Sequence, residues 1–129
     1  MIKTIVRLVL AATLMVAAAP AFSGVAMQMW RCEMLEGASE DDVLAHASKW
    51  LKVARSMKGG ENLNASVHFP VAVNASDKID MLFTISAPTF AEWGQFWDSY
   101  SNSEAADIED EDRLTVCPNS VLWESYKVE

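Results

Sequence analysis

Hydrophobic and polar residues alternate along two adjacent stretches near the middle of this chain and recur at helical spacing on either side of them. Ala65, Val67, Phe69, Val71 and Val73 share one face of an extended segment, with Ser66, His68, Pro70 and Ala72 on the other. Ile79, Met81, Phe83, Ile85 and Ala87 repeat the pattern. Folding the two about Ser76 sets Phe69 opposite Phe83, Val67 opposite Ile85, Val73 opposite Ile79 and His68 opposite Thr84. A one-residue slip would turn the apolar set to the wrong side, so the pattern predicts a hairpin. Pro70 donates no ladder hydrogen bond, which predicts that its strand lies at a sheet edge.

Upstream, Met27 to Leu35 places Trp30, Cys32 and Met34 on one face and Met27 and Met29 on the other, as in a strand covered on both sides. Val43, Ala47, Trp50, Ala54 and Met57 then form the stripe of an amphipathic helix. Ser39 is its N-cap, with Glu40, Asp41 and Asp42 in the first turn and Lys49, Lys52, Arg55 and Lys58 towards the other end. Gly59-Gly60 stops it. Downstream, Thr89 to Glu92 spells a capping box, and Trp93, Phe96, Trp97 and Tyr100 supply a second stripe. Ser101 to Arg113 is strongly acidic and reads as a solvated loop with room for one helical turn. Pro118-Asn119 precedes a last strand, Val121 to Val128.

The order is strand, helix, strand, strand, helix, strand. With a hairpin in the middle, the simplest solution is a split βαβ arrangement: a four-stranded antiparallel sheet with two helices on one face. That order makes the first and last strands neighbours and brings Cys32 towards Cys117. The topology resembles the dimeric α+β-barrel group of ferredoxin-like proteins, across nearly all of residues 24–129. The resemblance implies two sheets packed together, helices outside and a cavity between, and a homodimer. The group includes cofactor-free monooxygenases and haem-handling proteins. The resemblance is one of topology, and no catalytic motif of such a family maps onto residues of this chain.

The first 23 residues change how the cysteines are read. Lys3 and Arg7 form a basic head, Leu8 to Ala19 run without charge, Pro20 breaks the run, and Ala21-Phe22-Ser23 has a small-x-small pattern. The uncharged run falls short of the roughly 20 residues of a spanning helix. The expectation is a signal peptide cleaved after Ser23, leaving one domain, residues 24–129, in the bacterial periplasm or medium with no stable membrane association. Loss of Lys3 and Arg7 takes the formal charge from -8 to -10. So acidic a chain argues against nucleic acid as a partner. In an oxidising compartment Cys32 and Cys117 are expected to form a structural disulfide.

The candidate chemistry is sparse. No Cys-x-x-Cys occurs, two distant cysteines cannot fill a zinc site, and the acidic run lacks the glycine of a calcium loop, so no metal and no cofactor is expected. His68 shares a face with Asp80, Thr84 and Ser86 and is the candidate general base or ligand contact, with Asp80 as its carboxylate; the plainer reading is an edge-strand histidine. His46 reads as solvent-facing on a helix flank. Trp50, Trp93 and Trp97 read as core, whereas Trp30 and Trp123 on neighbouring strands could line a pocket or a dimer face. The leading expectation is an exported, disulfide-closed binding or interaction domain of unknown ligand, working as a homodimer, with a small molecule as one candidate ligand. The competing one is a small enzyme with a cavity on the non-helix face of the sheet, around His68 and Asp80.

Overall fold

Four strands pair in the order β2-β3-β1-β4, all antiparallel to their neighbours, in a computed structural model that describes residues 24–72 and 79–129. The elements are β1 (Val25–Met34), α1 (Glu40–Ala54), β2 (Asn64–His68), β3 (Met81–Ala87), α2 (Phe90–Asp98), α3 (Glu104–Glu111) and β4 (Thr115–Ser125), with a 3₁₀ turn at Tyr100–Asn102. This is the ferredoxin-like arrangement that the element order predicts. The expected signal peptide and the expected turn of the hairpin fall in residues 1–23 and 73–78, outside the described residues.

β2 is an edge strand, as Pro70 requires, but it ends at His68, two residues before the proline. Its register with β3 is displaced by two residues from the expected one. Val67 faces Phe83, Ala65 faces Ile85, and His68 faces Leu82 rather than Thr84. A shift of two keeps every side chain on its face, so alternation cannot distinguish the two registers.

The caps form where the local sequence places them. The Ser39 hydroxyl accepts from the Asp42 amide at 3.1 Å while the Asp42 carboxylate accepts from the Ser39 amide at 3.1 Å, a reciprocal capping box. The Thr89 hydroxyl accepts from the Glu92 amide at 3.1 Å and starts α2. α1 gives way to turns after Ala54, and the chain reverses at Gly59, whose φ is +81°. A Cβ there would come within 2.6 Å of the Glu92 carbonyl and the Phe96 amide, so glycine is what lets α2 approach this turn.

Two expectations are corrected. The acidic stretch is a helix, α3, capped by Ser103 and buried through Ala105 and Ile108, three residues apart. Its acids Glu104, Asp107, Glu109, Asp110 and Glu111 are all exposed, so the charge reflects one solvated face rather than a loop. β4 begins at Thr115, before Pro118, instead of after it. The β1–β4 ladder shifts register between Arg31 and Glu33, pairing Arg31 with Asn119 and Glu33 with Val116. This bulge admits a proline without breaking the strand. Cys32 sits at the bulge and is disulfide-bonded to Cys117, 85 residues later, with Cα atoms 4.1 Å apart.

The core lies between the sheet and the helices. Ala26, Ile85 and Ala87 on the sheet meet Trp50, Ala54, Phe96, Ala105 and Ile108 on α1, α2 and α3. A second cluster of Cys32, Val43 and Met81 takes in Phe69 and the disulfide. The opposite sheet face carries Met27, Met29, Thr84, Val121 and Trp123, by the pairing of Met27 with Trp123 and Met29 with both Val121 and Thr84. Trp30 pairs with Ser120 and points the other way, so Trp30 and Trp123 occupy opposite faces of the sheet.

Candidate functional site: an aromatic cavity under the helices

On the helix-bearing side, a cavity of about 420 Å³ opens between α1, the end of α3 and the first residues of β4. Part of its wall is a set of aromatic rings in successive contact, contributed by five elements. Trp30 of β1 lies 6.0 Å from Trp97 of α2, and Trp97 lies 4.7 Å from Tyr100, by ring centroids. Tyr100 is 6.4 Å from Trp50 of α1, which is 5.7 Å from Phe83 of β3, and Phe83 closes the circuit at 5.8 Å from Trp30. All five line the cavity. Phe96, fully buried behind them, packs on Trp50, Trp97 and Tyr100 and holds three of the rings in place.

A short hydrogen-bonded chain runs along one side. The Trp50 indole donates to the Tyr100 hydroxyl at 3.0 Å, and that hydroxyl donates to the Glu109 carboxylate. Burial first, and then the bond to Glu109, push the Tyr100 hydroxyl well above its ordinary pKa, while the Trp50 donation acts against them. Tyr100 is therefore a neutral donor that fixes Glu109 at the cavity. His46 also lines the cavity, half-buried, with Nε2 3.0 Å from the Ile108 carbonyl. A carbonyl only accepts, so Nε2 carries a proton and α3 is tied to α1. This histidine is not solvent-facing on a bare helix flank, because α3, which its surrounding sequence disguises as loop, covers it.

The remaining wall is β4. Thr115 to Pro118 line the cavity in succession, and the disulfide holds that segment to β1 at the bulge, where ladder pairing is interrupted. Trp97 Nε1 is a buried donor without a partner among the described residues, an uncommon state for an indole. No cluster of three or more potential metal-ligating side chains occurs among the described residues.

The candidates named from sequence separate. Trp30 lines the cavity, whereas Trp123 is 57% exposed on the other sheet face. His68 is exposed on the edge strand, its Nε2 3.2 Å from the Thr84 hydroxyl, which reaches the Ser66 carbonyl at 3.5 Å. Asp80 has a different partner: its carboxylate accepts from the Met34 amide at 2.8 Å and ties the start of β3 to the end of β1. The cavity thus lies on the helix side, not around His68 and Asp80. Trp50 and Trp97 are core residues and cavity lining at once, since each has one face in the interior and another on the wall. Glu109 and Arg113 were hidden within a charge run; the signal that exposes them is the Ala105/Ile108 spacing after the Ser103 cap.

No protein-family model and no curated protein matches this sequence. Solved structures do match in fold. The chain is similar to hydroxynitrile lyase from Passiflora edulis, with a TM-score of 0.52 at 9% identity, over 84% of this chain and 96% of that one. The fold is ferredoxin-like. It is similar, too, to a dimeric ferredoxin-like protein of unknown function from Thermobifida fusca, with a TM-score of 0.49 at 10% identity over 81% and 92% of the two chains. A chlorite dismutase from Candidatus Nitrospira defluvii matches at a TM-score of 0.44 and 14% identity over 83% of this chain, which spans only 42% of that enzyme's length. At these identities the ferredoxin-like likeness is one of fold, and the site must be read from its own residues.

Proposed function

We propose that this protein is an exported, disulfide-closed binding domain whose small-molecule seat is the aromatic cavity under its helices. The observation that carries the reading is the contiguous aromatic wall of Trp30, Trp97, Tyr100, Trp50 and Phe83 along a cavity of about 420 Å³. Ligand sites are concave, mostly apolar and furnished with a few placed polar groups, and volumes from about 300 Å³ are usual. Here the polar groups are Glu109, His46 and Arg113. Export is supported by the basic head, uncharged run and small-x-small pattern of residues 1–23 and is compatible with the Cys32–Cys117 bond. No helix of the described residues is long and apolar enough to cross a membrane.

The opposite sheet face supports a homodimer as the working form. Val121 and Trp123 are 48% and 57% exposed there, next to Met27 and Met29, a concentration of apolar side chains that a second copy of the same face would cover. This leaves both cavities open on the outside of the pair.

Native mass spectrometry of protein purified from its own source tests the reading. The expected result is a chain beginning after Ser23 with a non-covalently retained small molecule, lost on replacing Trp50 or Trp97 with alanine. A chain that begins at Met1, or a mature chain that never carries a ligand and whose tryptophan emission responds to no small molecule, overturns it.

A further inference from the structure

The cavity combines aromatic rings with one carboxylate, Glu109, and one guanidinium, Arg113. Among the described residues the two ion pairs are Lys49 with Asp112 at 3.0 Å and Arg113 with Asp110 at 3.1 Å. Arg113, which lines the cavity, is thus shared with Asp110 of the same segment, and Glu109 belongs to neither pair. Its carboxylate accepts from the Tyr100 hydroxyl, which holds it at the wall. Around it α3 adds Glu104, Asp107 and Glu111, on a chain whose formal charge is -8 as a whole.

An anionic ligand would meet Glu109 at the wall and the acidic face of α3 outside it. A neutral one would leave the charge unused. A cation is drawn in by the field and attracted to the negative faces of the rings, and indoles do this best. Three of the five rings are tryptophan. We infer that the occupant is an organic cation, an alkylated ammonium group seated against the aromatic wall of Trp30, Trp50, Phe83, Trp97 and Tyr100 with Glu109 as its counter-charge. The inference rests on the cavity being a ligand seat, and its test separates the two.

The oxidised, exported protein is titrated with four probes by calorimetry and tryptophan emission: choline, benzyltrimethylammonium, 3,3-dimethylbutan-1-ol and 3,3-dimethylbutanoate. The alcohol has the shape of choline without its charge, and the carboxylate reverses it. Choline is expected to bind about tenfold more tightly than the alcohol, with benzyltrimethylammonium tighter still because it fills more of the cavity. Glu109→Gln keeps an acceptor for Tyr100 and removes the charge, so it should weaken both cations several-fold and leave the alcohol unchanged. Asp107→Asn, the same change on the same helix away from the wall, should leave all four probes close to the parent. Equal or tighter binding of the alcohol or the carboxylate overturns the cation and leaves the seat standing. Silence from all four probes in a folded protein overturns both.

Discussion

Tyr100 is the residue on which packing, polarity and the cavity converge. Its ring belongs to the aromatic circuit, and its hydroxyl joins Trp50 to Glu109. Because the folded chain holds that proton more tightly than the unfolded chain, Tyr100 contributes stability that is whole below the ordinary tyrosine value of 10.0 and is lost as pH rises above it. Denaturant midpoints measured upward from about pH 9 should therefore fall with a slope that Tyr100→Phe makes shallower. Absorbance at the tyrosinate band should show Tyr100 ionising after Tyr126, which is exposed and raised chiefly by its bond to Glu124. Asp42 has the opposite sign. Its two bonds to Ser39 hold the carboxyl below its ordinary value, so its contribution is present above that value and lost as pH falls through the lowered one. Amide exchange in the first turn of α1 should quicken on acidification, and Asp42→Asn should remove most of that dependence. Phe96 has no accessible surface and contacts three rings of the circuit. Phe96→Ala is expected to cost about 3–5 kcal/mol in denaturant unfolding.

At the scale of elements, sequence pattern identified what repeats and missed what a turn or a bulge decides. α1, α2, β1 and the pair of central strands follow from period and caps, because local preference and burial agree there. The hairpin register does not, since sliding β2 by two residues preserves its faces and leaves the turn to choose. β4 crosses Pro118 because a bulge absorbs it, and no periodicity announces a bulge. α3 was legible only through Ser103, Ala105 and Ile108, against a background of charge that resembles a loop. Reading that cap makes a prediction: Ser103→Ala should cost about 1 kcal/mol, with helicity lost from 104–111 by amide exchange. The site shared these limits. The tryptophans were visible as core, but the cavity is lined by residues of α3, the 3₁₀ turn at Tyr100–Asn102 and β4, the segments whose structure the pattern obscured.

For the molecule as a whole, the disulfide has two consequences. It closes a loop with a sequence separation of 85, for which chain entropy gives up to about 4–5 kcal/mol on the unfolded side. It also holds Thr115 to Pro118 against β1 as the fourth side of the cavity. Oxidised protein should resist thiol labelling, and Cys32→Ser with Cys117→Ser should lose both stability and ligand affinity. Two free thiols in protein purified from its own source would overturn this link. The proposed function divides the two sheet faces, with a second copy on the Trp123 side and a ligand on the Trp30 side. Sedimentation at micromolar concentration should give a dimer that Trp123→Glu dissociates. The five indole N–H signals test the division most directly. On addition of benzyltrimethylammonium or 3,3-dimethylbutan-1-ol, the signals of Trp30, Trp50 and Trp97 should shift together while that of Trp123 stays in place. Movement of Trp123 with the other three still, or no movement of any indole with either probe, would contradict a ligand seat beneath the helices.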